Sequence, residues 1–302
     1  MLNFLPGRLR GILSFFLISL NTIIIFIPIM LVAILKFAVP VAKVQDFFSK
    51  VLISIASKWV ECNAGIFRLM NKIQWKVSKT GDLKNDEWCL IISNHQSWVD
   101  IFVIQTLLLH KVPYIKFFLK KELIWVPLMG LAWWALDFPF MKRYSQNFLK
   151  KNPHLKGKDV EITRRACEKF KIKPISIMNF MEGTRFTEKK HQQQQSPYAH
   201  LLRPKAGGIA FVLGAMGDYL NSILNITIAY PEGIASFWDF LCGRVTEIRV
   251  HIEKMSIPGD ILGDYDNNPE HRTHFQNWIN ILWAEKDLRI KYLLENNFTC
   301  HS

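Results

Sequence analysis

Cysteine is scarce in this sequence and shows no pairing pattern. Cys62, Cys89, Cys167, Cys242 and Cys300 are odd in number, far apart and without a CxxC spacing. That argues against a disulfide framework and a structural zinc site, and fits a reducing compartment. The chain also lacks GxSxG, the turn that presents a hydrolase serine, and it has no internal repeat. Acidic residues are few: 25 Asp and Glu stand against 38 Lys and Arg, which leaves a formal charge of +13. Such a surplus calls for a polyanionic neighbour, whether nucleic acid, an anionic membrane surface or phosphorylated substrates. No recognised nucleic-acid-binding motif accompanies it. Half of the 302 residues are apolar, enough for one large core with a small accessory element, which excludes disorder as the main state.

One long stretch lacks charge altogether. From Gly11 to Leu35, "GILSFFLISLNTIIIFIPIMLVAIL" is apolar, long enough at about 1.5 Å per residue to cross a hydrocarbon layer of about 30 Å. It exceeds the apolar core of a signal peptide, and no small-x-small cleavage site follows. Arg8 and Arg10 precede it, Lys36 and Lys43 follow it, and no acidic residue occurs before Asp46, so flanking charge sets no orientation. Asn21 and Pro28 interrupt the run. A single spanning helix and a pair of short helices dipping into one leaflet are both compatible with it.

Beyond this segment, "VQDFFSKVLISIASKWVECNAGIFRLMNKI" has the three- and four-residue spacing of an amphipathic helix. The stretch Gln74–Asn94 predicts a strand, a turn at Gly81, and a second strand buried on both faces, because Cys89 to Ile92 do not alternate. A helix from Ser97 to His110 follows, with Ser97 as N-cap and Asp100 in the first turn, then a strand at "PYIKFFL". Next come a helix-like stretch through "KKELIWVPLMGLAWWALDFPFMKR", a charged helix "DVEITRRACEKF" and the strand "PISIMNF". "KKHQQQQSPYAH" predicts a solvated loop, "LLRPKAGGIAFVLGAMG" a basic turn into an apolar helix, "NITIAYP" a strand, and Pro269–Phe298 a helix packed on the domain. Strands alternating with helices predict an α/β fold with a mixed, largely parallel central sheet flanked by helices.

Two of these strands end in polar clusters. "LIISNHQSWVDIF" delivers Asn94 and His95 at a strand tip with Asp100 five residues beyond the histidine, and "NFMEGTRFT" delivers Glu182, Gly183, Thr184 and Arg185. Strand C-termini converge on one sheet edge, where α/β proteins place their sites. A neutral imidazole removes a proton near pH 7, and a nearby carboxylate fixes its tautomer. With no serine or cysteine nucleophile alongside, direct attack by a substrate hydroxyl is the economical chemistry. Gly183 lets backbone approach a ligand, and Arg185 offers a planar fork suited to phosphate. Lys120, Lys121, Arg143, Arg203 and Lys205 add positive charge for phosphate groups beside a membrane.

"NHQSWVD", "FLKKELIWVPLMG", "FMEGTRFT" and "RPKAGG", in that order from Asn94 to Gly208, resemble the signatures of the glycerolipid acyltransferase family, the PlsC or lysophosphatidate acyltransferase group. Within it the chain looks most like the bacterial YihG-type branch. The charge-free run predicts an N-terminal membrane anchor over residues 1–45, and the resemblance implies an acyltransferase domain over residues 46–302. It implies a general base at His95 oriented by Asp100, with Asn94, Lys120, Arg143, Glu182, Gly183, Thr184, Arg185 and Lys205 serving the substrate. The reaction would move a fatty acyl group from acyl-CoA or acyl carrier protein to a lysophospholipid hydroxyl at the cytoplasmic face of the bacterial inner membrane. No metal or other cofactor is implied, and no nucleic-acid partner. Phe186 stands where the family commonly has serine or threonine, and Pro231 closes "NITIAYP" rather than opening that strand, which leaves the acceptor open. A non-catalytic lipid-binding protein and an acyl thioesterase or lipase are the alternatives.

Overall fold

A computed structural model describes residues 2, 4–141, 174–265 and 267–295. Arg143 and the predicted helix "DVEITRRACEKF" lie outside them. The fold is the expected α/β arrangement. Helices α1 (Gly7–Ala38) and α2 (Ala42–Met70) lead into β1 (Gln74–Thr80), β2 (Cys89–Ser93), α3 (Val99–Leu108), β3 (Ile115–Phe117) and β4 (Leu119–Lys120). Then follow α4 (Met129–Ala135), β5 (Phe140–Met141), β6 (Ser176–Phe180), α5 (Glu188–Gln194), α6 (Ala206–Met216), β7 (Ser222–Ala229), α7 (Phe237–Leu241), β8 (Glu247–Met255) and α8 (Pro269–Glu295).

The six-stranded sheet has the order β1-β8-β7-β2-β6-β3. All neighbours are parallel except β7 and β8. β2 lies between β7 and β6, and its five residues are all buried. Leu90 and Ile92 face a core with Ile209, Leu213, Phe275 and Trp283 of α6 and α8. Cys89 and Ile91 face the opposite core with Val99 and Val103 of α3 and Phe240 of α7. A strand covered on both faces needs no polar alternation, which is why β2 reads as an unbroken apolar run. The register sets Ser93 beside Phe180 and Ile226, so β2 and β6 end level while β7 continues to Ala229.

The charge-free run is one continuous helix, although Pro28 lies inside it. Asn21, expected to interrupt it, is satisfied sideways: its amide donates to Asn63 Oδ1 at 2.9 Å and to the Trp59 carbonyl at 3.2 Å, both on α2. Both ends of α1 are tied to the α/β domain. Arg10 donates to the Cys242 carbonyl at 2.6 and 2.9 Å, and Ser14 to the Leu241 carbonyl. At the other end Lys36 pairs with Asp137 at 2.5 Å, while Ile29 and Ala33 pack with Ala132 and Ala135 of α4. The outer face, from Ile12 and Phe15 through Ile24 to Ile34 and Phe37, is exposed.

Other elements depart from expectation for local reasons. The helix-like stretch after Lys120 is broken into a 3-10 turn, Lys121–Trp125, and the short α4. Pro127 interrupts the helix, and Gly130 sits where a Cβ would lie 2.0 Å from the Ile124 carbonyl oxygen. The glutamine run is helical: Thr187 caps α5 by accepting from the Lys190 N–H, and Gln195 ends it at φ 46°. α3 begins at Val99 rather than Ser97, whose hydroxyl donates to the Ala235 carbonyl at 2.6 Å and accepts from the Val99 N–H at 3.2 Å. β8 went unrecognised because Arg249, His251 and Glu253 lower its apolarity.

α8 supports the sheet edge through Trp283, fully buried, whose indole N–H donates to the Leu202 carbonyl at 2.9 Å. Trp283→Ala is expected to lower unfolding stability by about 3–5 kcal/mol, read as a fall in the urea midpoint of the detergent-solubilised protein.

Candidate active site

The C-terminal ends of β2, β6 and β7 bring three loops together, and hydrogen bonds fix each of them. Asn94 caps β2 against β7: its Nδ2 donates to the Ile228 carbonyl at 2.8 Å and its Oδ1 accepts from the Ile228 N–H at 3.0 Å. The next residue, His95, hydrogen-bonds through Nδ1 to Asp100 Oδ2 at 2.9 Å. That oxygen also accepts from the N–H groups of Gln96 and Ser97, at 2.6 and 2.9 Å. The other oxygen, Oδ1, accepts from the Tyr230 hydroxyl at 2.6 Å. Asp100 is fully buried, and four donors aimed at one buried carboxylate suit its ionised form. Burial foremost, and then the Asp100 charge, push the Tyr230 hydroxyl well above its usual value, so it remains a donor.

Nδ1 thus carries the imidazole proton, and Nε2 is left with its lone pair. The ring lies flat on Phe180, with centroids 3.9 Å apart and planes 15° from parallel, so its orientation is set on two sides. The side chain is 11% exposed, enough to meet a ligand at the sheet edge.

Glu182 lies at the centre of the three loops. Fully buried, it accepts from the His95 N–H at 2.8 Å through one oxygen and from the Leu202 N–H at 3.1 Å through the other. Its carboxylate therefore joins the NHQSWVD turn to the chain entering RPKAGG and holds those turns rather than facing solvent. Burial pushes its carboxyl up to about 8, against the pull of the two backbone N–H groups. Beneath it α8 delivers Lys286, fully buried, whose ammonium donates to the Ile226 carbonyl at 2.6 Å; burial pulls that group down to about 7.

The remaining candidates line the outside. Gly183 adopts φ 65°, and a Cβ there would lie 3.0 Å from Cδ of Lys205, so the two motifs meet at a residue that must be small. Arg185 is exposed and lies 4.5 Å over the Trp98 ring. Lys190 donates to Thr184 Oγ1 at 2.8 Å and to the Arg185 carbonyl at 2.9 Å. Phe186 is buried and its N–H donates to the His95 carbonyl at 2.8 Å, so the family-atypical side chain packs inward. Lys120 is exposed at the end of β4, apart from this hydrogen-bonded cluster. Among the described residues, no group of three His, Cys, Asp or Glu side chains is placed to hold a metal.

The family model described as Acyltransferase matches residues 74–229, just over half of the chain. The chain belongs to that family. Mouse 1-acyl-sn-glycerol-3-phosphate acyltransferase epsilon is 22% identical over 74% of this chain and 63% of its own length. Zebrafish lysocardiolipin acyltransferase 1 is 25% identical over 80% of this chain and 61% of its own. The chain thus spans about three fifths of the length of these curated relatives. The crystal structure of PlsC from Thermotoga maritima, named as a 1-acyl-sn-glycerophosphate acyltransferase, superposes with a TM-score of 0.54 over 96% of this chain and 99% of that one. At 15% identity this likeness establishes the fold. Family membership fits the geometry, since the matched segment contains the His95, Asp100 and Glu182 turns and ends one residue before Tyr230.

Sequence reasoning missed Tyr230, 130 positions from Asp100. The one available signal was its place just after an apolar strand, at the edge where the other two clusters already converge.

The raised carboxyl of Glu182 has a definite sign. Its stabilising contribution is complete below about pH 4.5 and is lost as pH rises to about 8. Glu182→Gln is expected to remove that component from the urea midpoint measured between about pH 5 and pH 8. It also sets an amide against a backbone N–H, lowering stability near pH 5 by about 1–3 kcal/mol.

Proposed function

We propose that this protein is a membrane-bound O-acyltransferase that moves a fatty acyl group from an acyl thioester, acyl-CoA or acyl carrier protein, to a free glycerol hydroxyl of a lysophospholipid, lysophosphatidic acid or a related lysolipid. The observation that carries the reading is the buried Tyr230–Asp100–His95 chain at a sheet edge, with Nε2 as its outer end. His95 takes the proton from the attacking hydroxyl as its oxygen bonds to the thioester carbonyl carbon. Collapse of the tetrahedral intermediate breaks the carbon–sulfur bond, and His95 returns the proton to the departing thiolate, giving ester and thiol. Asp100 holds the imidazole tautomer and balances the imidazolium charge. Tyr230 and Glu182 act through position alone.

Phosphate of the acceptor or of the thioester carrier is assigned to Arg185 and Lys205, exposed beside the cluster, and to Lys120 and Arg143 by their place in the motifs, while Gly183 and Thr184 supply backbone close to it. The reaction calls for no metal or redox group, because the thioester already carries the activated acyl chain. Residues 1–45 are assigned to the membrane anchor and residues 46–302 to catalysis. Because both ends of α1 are tied to the domain through Arg10 and Lys36, the helix is read as lying in one leaflet. Kinship with the YihG-type branch and a site on the cytoplasmic face of a bacterial inner membrane belong to the same proposal.

Acyl transfer by the detergent-purified protein, with acyl-CoA or acyl carrier protein donors and a lysophospholipid panel, is expected for wild type. For His95→Ala the rate should fall by about 100- to 10,000-fold while the variant still unfolds in a single cooperative transition. Donor hydrolysis independent of acceptor would instead indicate a thioesterase, and silence with every donor and acceptor a lipid-binding protein. Tyr230→Phe leaves the buried Asp100 Oδ1 without its hydroxyl donor and is expected to lower stability by about 1–3 kcal/mol, read as a fall in the urea midpoint.

A further inference from the structure

The chain between β4 and β5 presents an apolar surface that neither the core nor the catalytic cluster uses. Trp125 closes the 3-10 turn with 84% of its surface exposed, and Val126, Pro127 and Leu128 beside it are exposed as well. Leu128 adopts φ 61°, a left-handed backbone rarely taken by leucine; such strain recurs where a segment has a task other than packing. Along α4 the exposed side continues with Leu131 and Trp134, at 48% and 45%, while Ala132 and Ala135 are buried against Ile29 and Ala33 of α1. Trp125, Leu128, Leu131 and Trp134 thus form one stripe at three-residue spacing.

This stripe is continuous with the bare face of α1. The Trp134 ring lies 6.3 Å from that of Phe37, which is itself 77% exposed. Exposed charge borders it at Lys120, Lys121 and Glu122, cations outnumbering the single acid. Tryptophans with an apolar body and a polar N–H, set beside lysines at the edge of an apolar face, match the composition of a bilayer interface.

We infer that the Trp125–Trp134 segment is a second membrane contact that inserts into the same leaflet as the outer face of α1. The inference rests on the membrane attachment through α1 proposed above and adds a separate element to it. With two non-collinear contacts the domain is fixed in rotation about the α1 axis, so the sheet edge carrying His95 keeps a constant attitude to the lipid surface. The occupant is the bilayer, because the stripe joins the exposed outer face of α1 already assigned to lipid and the bordering lysines complement anionic headgroups.

The test is flotation of the full chain with phosphatidylcholine vesicles, alone and mixed with phosphatidylglycerol, comparing wild type with Trp125→Gln/Trp134→Gln. Leu288→Gln, at an exposed position on α8 across the sheet, is the control. The double variant is expected to partition at least about tenfold more weakly at unchanged unfolding midpoint, and Leu288→Gln as wild type. Equal partitioning of the double variant and wild type overturns the inference while leaving attachment through α1 intact. So does loss of self-association without loss of flotation, which assigns the stripe to a second copy of this chain. Wild type that fails to float overturns both the attachment and this addition to it.

Discussion

The site depends on one buried carboxyl group. Glu182 accepts from the backbone of His95 on one side and of Leu202 on the other, joining loops 87 and 20 positions away from it in sequence. Backbone N–H groups without partners are costly in an interior, so each turn is stable in this form only while the Glu182 side chain is there. The imidazole position follows: with its own N–H held by Glu182, its carbonyl by Phe186 and its ring by Phe180 and Asp100, His95 has little freedom left. The energetic strain falls on Glu182 itself, a group raised well above its usual range by the burial that makes it effective.

Much of this was legible in the sequence, because the fold's central strands are buried on both faces and therefore appear as short apolar runs ending in polar residues. β2, β6 and β7 read this way, and so did the proximity of His95 to Asp100, five residues apart across a helix start. What stayed hidden had a common cause. Tyr230, Leu202, Trp283 and Lys286 reach the site by tertiary contact over long separations, and no local spacing announces such a contact. The role of Glu182 was hidden for another reason: an acid at a strand end looks like a ligand-facing group until its burial is known. β8 was missed because its polar residues are real, and they are accommodated beneath α8, where Arg249 reaches the Leu293 carbonyl.

The C-terminal helix shows how a remote element conditions the site. Trp283 holds the carbonyl of Leu202, whose N–H in turn holds Glu182. α8 is thus connected to the His95 turn through three consecutive hydrogen bonds that pass through Leu202 and Glu182. Packing and site geometry are not separable here, since the core that α8 closes is also the support for the loops.

The docking of α1 carries a consequence for how the chain is made. The helix leaves the ribosome before the rest of the domain, yet the carbonyls that receive Arg10 and Ser14 belong to Cys242 and Leu241, 232 and 227 residues later. At about 5–20 residues per second, that leaves an interval of roughly 12–46 s in which an apolar helix has none of those partners. The contact between α1 and the Leu241–Cys242 turn therefore forms only after most of the domain has been made, and it closes the chain's first helix onto one of its last turns.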